Sequence, residues 1–382
     1  MPWNYSHSQI SGEDSSEVRA FNLMCLKKLL QLLRISTMKD RKKIICLVGS
    51  LNQTKQLHLI SNYLKDDYDI YFTQLFGDGM FLKMVAESGI VDNTVFGRNS
   101  SFTLNSRDYI ESNNLNYDYR ANSRGINYDL ALLSTDMIVP KEFRKIKTIW
   151  VQEGMIDKLG SMSRLVKKVG LPEFFTGDTS LNGTSNRADI YCSMSFGYKD
   201  YFSQWGTKKE KILVTGVPNF DNIAEFKNDS YHESGFILIA TSDIRELGGN
   251  ENRTDFFEKC VKIANGRKVI YKPHPNESRE RVTKELLQVI PNAEIIYKPI
   301  LDTLIAHCDT LITQWSSSVY VGLVLGKTVY SYFPMEELEA KKPIQNGGKS
   351  AEIIANIARE FITYEGEKSD FIAQSTFAKS LL

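Results

Sequence analysis

From residue 44 onward the chain alternates short, wholly apolar runs with polar turns and stretches of helical period. Ile44-Ile45-Cys46-Leu47-Val48 is the first run; Gly49-Ser50 turns the chain, and residues 55–64 repeat their apolar positions at helical spacing. Further apolar runs follow at 70–74, 130–133, 148–151, 190–194 and 212–215. Runs of this length, bounded by turn residues, predict strands buried on both faces, and their alternation with helices predicts a parallel, doubly wound sheet. Residues 216–234 are loop-rich, and the alternation then restarts. Strands are predicted at 236–240, 268–271, 293–297, 310–313 and 328–332, with helices at 255–264, 280–289, 301–307 and 319–325. Two such units in tandem predict an α/β fold of two Rossmann-like domains whose parallel sheets face a central cleft. The chain divides into an N-terminal arm with an amphipathic helix (1–43), a first domain (44–222), a second domain (235–345) and C-terminal helices (346–382). Residues 350–364 have helical period.

The 382 residues suffice for two domains, and 42% hydrophobic with 24% charged residues is the composition of an ordinary globular protein. A net charge of +1 argues against general electrostatic capture of nucleic acid. The five cysteines, Cys25, Cys46, Cys192, Cys260 and Cys308, contain no CxxC pair and read as reduced, buried thiols of a cytoplasmic protein. No apolar run approaches the ~18 residues of a membrane span, and the polar residues 1–14 lack a signal-peptide core. Residues 21–35 interleave Phe21, Leu23, Met24, Leu26, Leu29, Leu30 and Leu33 with Lys27, Lys28 and Arg34. Such a stripe either packs on the domain or lies peripherally on an anionic membrane face.

Open parallel sheets bind ligands at the carboxyl ends of their strands, so the polar residues at those ends carry the candidate chemistry. The strand at 268–271 runs into Lys272-Pro273-His274-Pro275, a rigid turn that presents one imidazole. The strand at 310–313 runs into Gln314-Trp315-Ser316-Ser317-Ser318 and then a helix. One serine would serve as an N-cap; three in a row offer hydroxyls to an anion where free N–H groups and the helix dipole favour phosphate. Glu153, in Trp150-Val151-Gln152-Glu153-Gly154, is a carboxylate at a cleft-facing strand end, placed either for acid/base work or as a helix-start residue. Asp243, in Ala240-Thr241-Ser242-Asp243-Ile244-Arg245-Glu246, faces the same cleft, with a loop or N-cap role as the plain alternative. Arg245 and Lys272 supply charge for a phosphate or carboxylate. Thr215-Gly216-Val217-Pro218-Asn219-Phe220-Asp221 ends the first domain as hinge and cleft floor. The sequence holds no GxGxxG, P-loop, GxSxG or zinc-ligand spacing, and its acidic run Asp66-Asp67-Tyr68-Asp69 sits in a helix-to-strand loop and reads as a solvated turn, so neither a dinucleotide cofactor nor a resident metal is expected.

In their order, Trp-Val-Gln-Glu-Gly, Thr-Gly-Val-Pro-Asn-Phe-Asp, Lys-Pro-His-Pro and Gln-Trp-Ser-Ser-Ser resemble the GT-B glycosyltransferases of bacterial surface polysaccharides over residues 44–345. That group includes capsule Kdo transferases, sialyl- and polysialyltransferases with HP and SS motifs, and CDP-glycerol glycerophosphotransferases. The resemblance implies that the first domain serves the acceptor and the second binds the nucleotide sugar. It implies that His274, Ser316, Ser317 and Ser318 bind the phosphate of a cytidine nucleotide donor; Lys272, Gln314, Arg245 and Gly216, on the same strand ends, are expected to join them in holding the donor. In the retaining β-Kdo branch, which Glu153 and Asp243 match, it implies that Asp243 forms a covalent glycosyl intermediate while Glu153 activates the acceptor hydroxyl. The expected function is transfer of Kdo from CMP-Kdo to a capsule, O-antigen or lipid-linked glycan acceptor, without a metal, in the cytoplasm or peripherally on its membrane. Three alternatives stand beside it: an inverting CMP-sialic acid or CDP-glycerol-type transferase, a UDP-GlcNAc 2-epimerase-like enzyme, and a non-catalytic nucleotide-sugar-binding subunit.

Overall fold

A computed structural model describes residues 41–74, 101–118, 126–156, 159–176, 178–228, 231–246 and 248–382. The amphipathic stripe expected at 21–35 lies outside the described residues.

The first domain is built on a six-stranded parallel sheet. Its strands are β1 (Lys43–Leu47), β2 (Asp69–Thr73), β3 (Leu130–Leu133), β4 (Lys147–Val151), β5 (Ile190–Ser193) and β6 (Ile212–Val214), in the spatial order β2-β1-β3-β4-β5-β6. Each was legible as an apolar run because both faces are covered: Ile44 to Leu47 and Leu130 to Leu133 have no exposed surface. Helices α1 (Leu51–Asn62), α2 (Ser101–Ser112), α3 (Lys141–Lys145), α4 (Ser161–Val169) and α5 (Phe196–Gln204) accompany this sheet. The polar 96–127 stretch contributes α2, whose Ser106 hydroxyl meets that of Thr54 on α1 at 2.6 Å.

The second domain repeats the plan with five parallel strands. These are β7 (Ile237–Ala240), β8 (Val269–Lys272), β9 (Glu294–Ile295), β10 (Thr310–Thr313) and β11 (Thr328–Tyr330), ordered β11-β10-β7-β8-β9. Helices α6 (Arg253–Ala264), α7 (Arg279–Val289), α8 (Leu301–His307) and α9 (Ser318–Val324) connect them. The β9 strand is shorter than the apolar run at 293–297, because the Lys272 ammonium draws the Tyr297 and Pro299 carbonyls to itself at 2.5 and 2.9 Å and the ladder stops there. Two parallel-sheet α/β domains in tandem form the GT-B architecture.

Both sheets reverse their strand order once, between β1 and β3 and between β7 and β10. The crevice above such a reversal is where a doubly wound sheet receives ligands, and both candidate clusters stand there.

The C-terminal segment returns to the first domain. Helix α10 (Met335–Lys341) leads to a crossover at 342–349, then to α11 (Ser350–Thr363), α12 (Phe371–Gln374) and α13 (Thr376–Lys379). Ile354, Ala355, Ile357, Ala358 and Phe361 of α11 are buried in the same apolar core as β1 and β4. Lys42 and Lys147 cap the end of α11 through the Ile362 and Tyr364 carbonyls, and Leu381 O accepts the Val214 N–H at the free edge of β6. The two halves therefore share one continuous chain-reversal seam, closed by Ser195 Oγ on Lys341 O at 2.9 Å and Ile344 N on Met194 O at 3.0 Å.

Gly197 makes that seam possible. A Cβ built there would lie 1.9 Å from the Ala340 carbonyl oxygen, a backbone atom that no rotamer change can move aside. Gly197→Ala is expected to destabilise the protein by about 1–3 kcal/mol or more through forced separation of α5 and α10, read as a lowered urea midpoint. An unchanged midpoint would show that the two helices are not held at this distance.

Candidate active site

The first cluster forms where β1 and β4 end. Ser50 and Gln53 make a capping box on α1: the Ser50 hydroxyl accepts Gln53 N–H while Gln53 Oε1 accepts the Gly49 and Ser50 N–H groups. The same two side chains hold Glu153. Ser50 Oγ donates to Glu153 Oε1 at 3.1 Å, and Gln53 Nε2 donates to Oε2 at 2.7 Å. Ser134, at the end of β3, completes the set by donating to Gln53 Oε1. The preceding Gln152 is buried and structural, accepting Met194 N–H at 2.9 Å and donating to Gly154 O at 2.8 Å, which ties the β4 and β5 ends and fixes the loop that carries Glu153. Burial pushes the Glu153 carboxyl above the ordinary glutamate range, and the Gln53 and Ser50 hydrogen bonds pull part of the way back. The result is a carboxylate of raised basicity, as acid/base chemistry near neutral pH requires.

The second cluster forms where β7, β8 and β10 end. His274 Nδ1 lies 3.5 Å from Asp243 Oδ2, and that oxygen also accepts from Asn276 Nδ2 at 2.7 Å. The Asn276 backbone N–H points at His274 Nδ1 from 3.3 Å. A donor at Nδ1 assigns the ring proton of neutral His274 to Nε2, where it is available to an anion. Asp243 Oδ1 has no hydrogen-bond partner among the described residues.

Beneath these residues lies a buried ionic network that sequence reading missed. Glu277, with no exposed side-chain surface, accepts His274 N–H at 2.9 Å and the Thr241 hydroxyl at 2.5 Å, and pairs with Arg253 at 2.8 Å. Arg253 also pairs with Glu251 at 2.7 Å, and Glu251 accepts from Gln314 Nε2. Gln314 Oε1 in turn takes Ser242 N–H at 3.2 Å, and Ser242 Oγ donates to Trp315 O. Three strand ends are thus tied into one rigid platform. The available signal was Glu277 three residues after His274, the spacing at which a side chain reaches back to a turn's N–H.

Ser316, Ser317 and Ser318 stand where the sequence put them, at the start of α9. Ser316 Oγ accepts Ser318 N–H at 3.3 Å and meets Ser318 Oγ at 2.9 Å. Ser316 therefore caps the turn, Ser318 is buried, and the Ser317 side chain is the exposed member. Three other expected donor residues are engaged elsewhere. Arg245 forks onto Glu285 with two bonds of 2.8 Å, Lys272 binds the two carbonyls beyond β9, and Gly216 faces Ser350 and Asn346 of the crossover. With φ of +65° and a virtual Cβ 2.5 Å from Ser350 Oγ, position 216 admits glycine alone.

An aromatic floor joins the two clusters. Phe220 lies against Gly154, whose virtual Cβ is 3.0 Å from its ring, and meets Tyr320 of α9 edge-on with centroids 6.1 Å apart. Tyr320 donates to the Tyr198 hydroxyl at 3.3 Å. Among the described residues no group of three or more His, Cys, Asp or Glu is arranged to hold a metal ion.

No protein-family model matches the sequence, and no curated protein matches it. Solved structures are similar in overall form. The UDP-GlcNAc 2-epimerase of Neisseria meningitidis bound to UDP-GlcNAc is 12% identical, with a TM-score of 0.49 over 83% of this chain and 99% of that one. The UDP-GlcNAc 2-epimerase of Methanocaldococcus jannaschii in complex with UDP-GlcNAc and UDP is 15% identical, with a TM-score of 0.47 over 86% and 97%. The wall teichoic acid polymerase TagF is 14% identical, with a TM-score of 0.43 over 84% and 89%.

Two outcomes test this geometry. A folded-state pKa raised by burial means that ionised Glu153 costs the fold stability as pH rises from the ordinary glutamate range through the raised value. Glu153→Gln should match the wild type in acid and become the more stable protein as pH climbs, a trend read from Tm between about pH 4 and 8; a flat or reversed difference refutes it. Glu277→Ala leaves Arg253 buried beside only Glu251 and should lose about 3–5 kcal/mol in urea unfolding, whereas a solvated, dispensable Glu277 would cost almost nothing.

Proposed function

We propose that this chain is a nucleotide-sugar-dependent glycosyltransferase, with CMP-Kdo as its leading donor. The observations that carry the reading are a carboxylate of raised basicity, Glu153, at the strand ends of the first domain and an Asp243–His274 couple at the strand ends of the second. Each half holds one part of a transfer reaction: a base for an acceptor hydroxyl, and an anion-facing imidazole beside a second carboxylate.

The chemistry follows atom by atom. His274 Nε2–H donates to the phosphate that leaves with the nucleotide, assisted by the hydroxyls of Ser316 and Ser317. Asp243 is anchored through Oδ2 and keeps Oδ1 for attack on the anomeric carbon. The bond from carbon to phosphate oxygen breaks, CMP departs with the electron pair, and a glycosyl ester of Asp243 forms. Glu153 then takes the proton of the acceptor hydroxyl, whose oxygen attacks the same carbon and frees the Asp243 carboxylate. Two displacements at one carbon give retention. A single leaving phosphate asks for less cationic help than a diphosphate, which suits a cluster whose nearest Arg and Lys are paired with protein groups.

A specific observation favours one second reading. Because Asp243 Oδ2 already contacts His274 Nδ1, Asp243 can serve by orienting that ring, with inversion at the sugar carbon by direct attack of the acceptor.

The test is nucleotide release and product analysis with CMP-Kdo, CMP-sialic acid, CDP-glycerol and UDP-GlcNAc. Turnover of CMP-Kdo that falls about 100-fold or more in Glu153→Gln and in His274→Ala supports the proposal. Asp243→Ala abolishes turnover under the covalent mechanism, and wild-type turnover in that variant ends it. Acceptor-independent conversion of UDP-GlcNAc would make the chain an epimerase, and binding without turnover across the panel would make it a binding subunit.

A further inference from the structure

Helix α4 is turned inside out. It buries Ser163 and Val166 and leaves Met162, Leu165 and Val169 exposed, at 53%, 52% and 61% of their surface. At 100° per residue these three lie on one stripe along the helix. The stripe continues past the Gly170 cap into Leu171 and then Phe174 and Phe175, whose rings stack with centroids 4.7 Å apart. Single exposed apolar residues are unremarkable in any protein; six within fourteen consecutive positions form a patch.

The charges on the helix itself have one sign. Arg164 and Lys168 are exposed on the flank beside Leu165. The acid of this stretch, Glu173, is buried and paired with Arg187 at 2.7 Å and Lys167 at 3.7 Å. An apolar stripe bordered by long basic side chains is complementary to an anionic bilayer surface: the stripe enters the acyl boundary while the cationic ends stay with the headgroups. A second copy of the chain is the poorer partner, because a two-fold pairing of this face would oppose Arg164 and Lys168 with their own equivalents.

We propose that helix α4 and the 171–175 turn form a monotopic docking surface for anionic lipid. The inference is independent of the cleft's chemistry. It places membrane contact on the first domain, on a helix that begins eight residues after Glu153.

The test is flotation of the full-length protein with phosphatidylglycerol-containing vesicles and with pure phosphatidylcholine vesicles. The wild type should float with the anionic vesicles, and less so as salt is raised. The double variants Leu165→Glu/Val169→Glu and Arg164→Glu/Lys168→Glu should each bind about tenfold less or weaker, with Tm and circular dichroism unchanged because these positions are exposed. A wild type that ignores both vesicle types overturns the proposal. So do variants that float like the wild type, which would locate binding elsewhere in the chain. Sedimentation of the same proteins covers the remaining case: a wild-type dimer that the Leu165→Glu/Val169→Glu variant breaks, without vesicle binding, would make this face a contact between copies.

Discussion

Everything at the second cluster depends on one carboxylate sealed from solvent. Glu277 holds the backbone of His274, the hydroxyl of Thr241 and the guanidinium of Arg253 at once. A buried charge is tolerated only when it is paired and its lone pairs are filled, so the positions of these three groups are not independently adjustable. Because they sit on the ends of β7 and β8 and on α6, and because Glu251 extends the chain of contacts to Gln314 at the end of β10, the platform is rigid in the plane of the sheet. The imidazole above it inherits that rigidity through its own backbone N–H.

The first cluster is built on a different principle. Among the described residues Glu153 is held by neutral donors from the start of α1, and its basicity rises through burial. One carboxylate, Glu277, is locked by an arginine and serves structure. The other is left with neutral partners and stays chemically available. This separation of roles by environment, more than the identity of any single residue, distinguishes the support of the site from its chemistry.

The fold was readable because its central strands are buried on both faces and therefore appear as largely apolar runs, as at Ile44 to Leu47 and Leu130 to Leu133. The candidate residues were readable only where a local rule marked them: prolines around His274, a serine triplet before a helix, a glycine beside Glu153. Ser50 and Gln53 carried a capping-box spacing whose second use, gripping a residue 100 positions away, has no local trace. Glu251, Arg253 and Glu277 look in sequence like solvated helix charges, and only the fold brings them together underground. Arg245 and Lys272 show the converse: a motif marks their place, while the partners they hold in the fold, Glu285 and the carbonyls beyond β9, leave no local trace.

The two halves are joined in a way that limits how they can move. The chain passes between domains at 215–223 and returns at 342–349, and the two passages are bound to each other. Asp221 accepts Asn346 N–H at 2.7 Å and Ser350 N–H at 2.8 Å, Asn346 reaches Thr215 O at 2.8 Å, and Gln345 bridges Ile223 N–H and Phe220 O. Burial alone would raise the Asp221 carboxyl, yet these hydrogen bonds hold it below the ordinary aspartate range, a sign that its charge is needed where it stands. Any approach of one domain to the other must therefore pivot about this knot. Phe220 belongs to the knot and also forms the floor between Gly154 and Tyr320. The crossover knot and the aromatic contact between the Glu153 loop and α9 therefore share one residue, so the packing of both depends on where Phe220 sits.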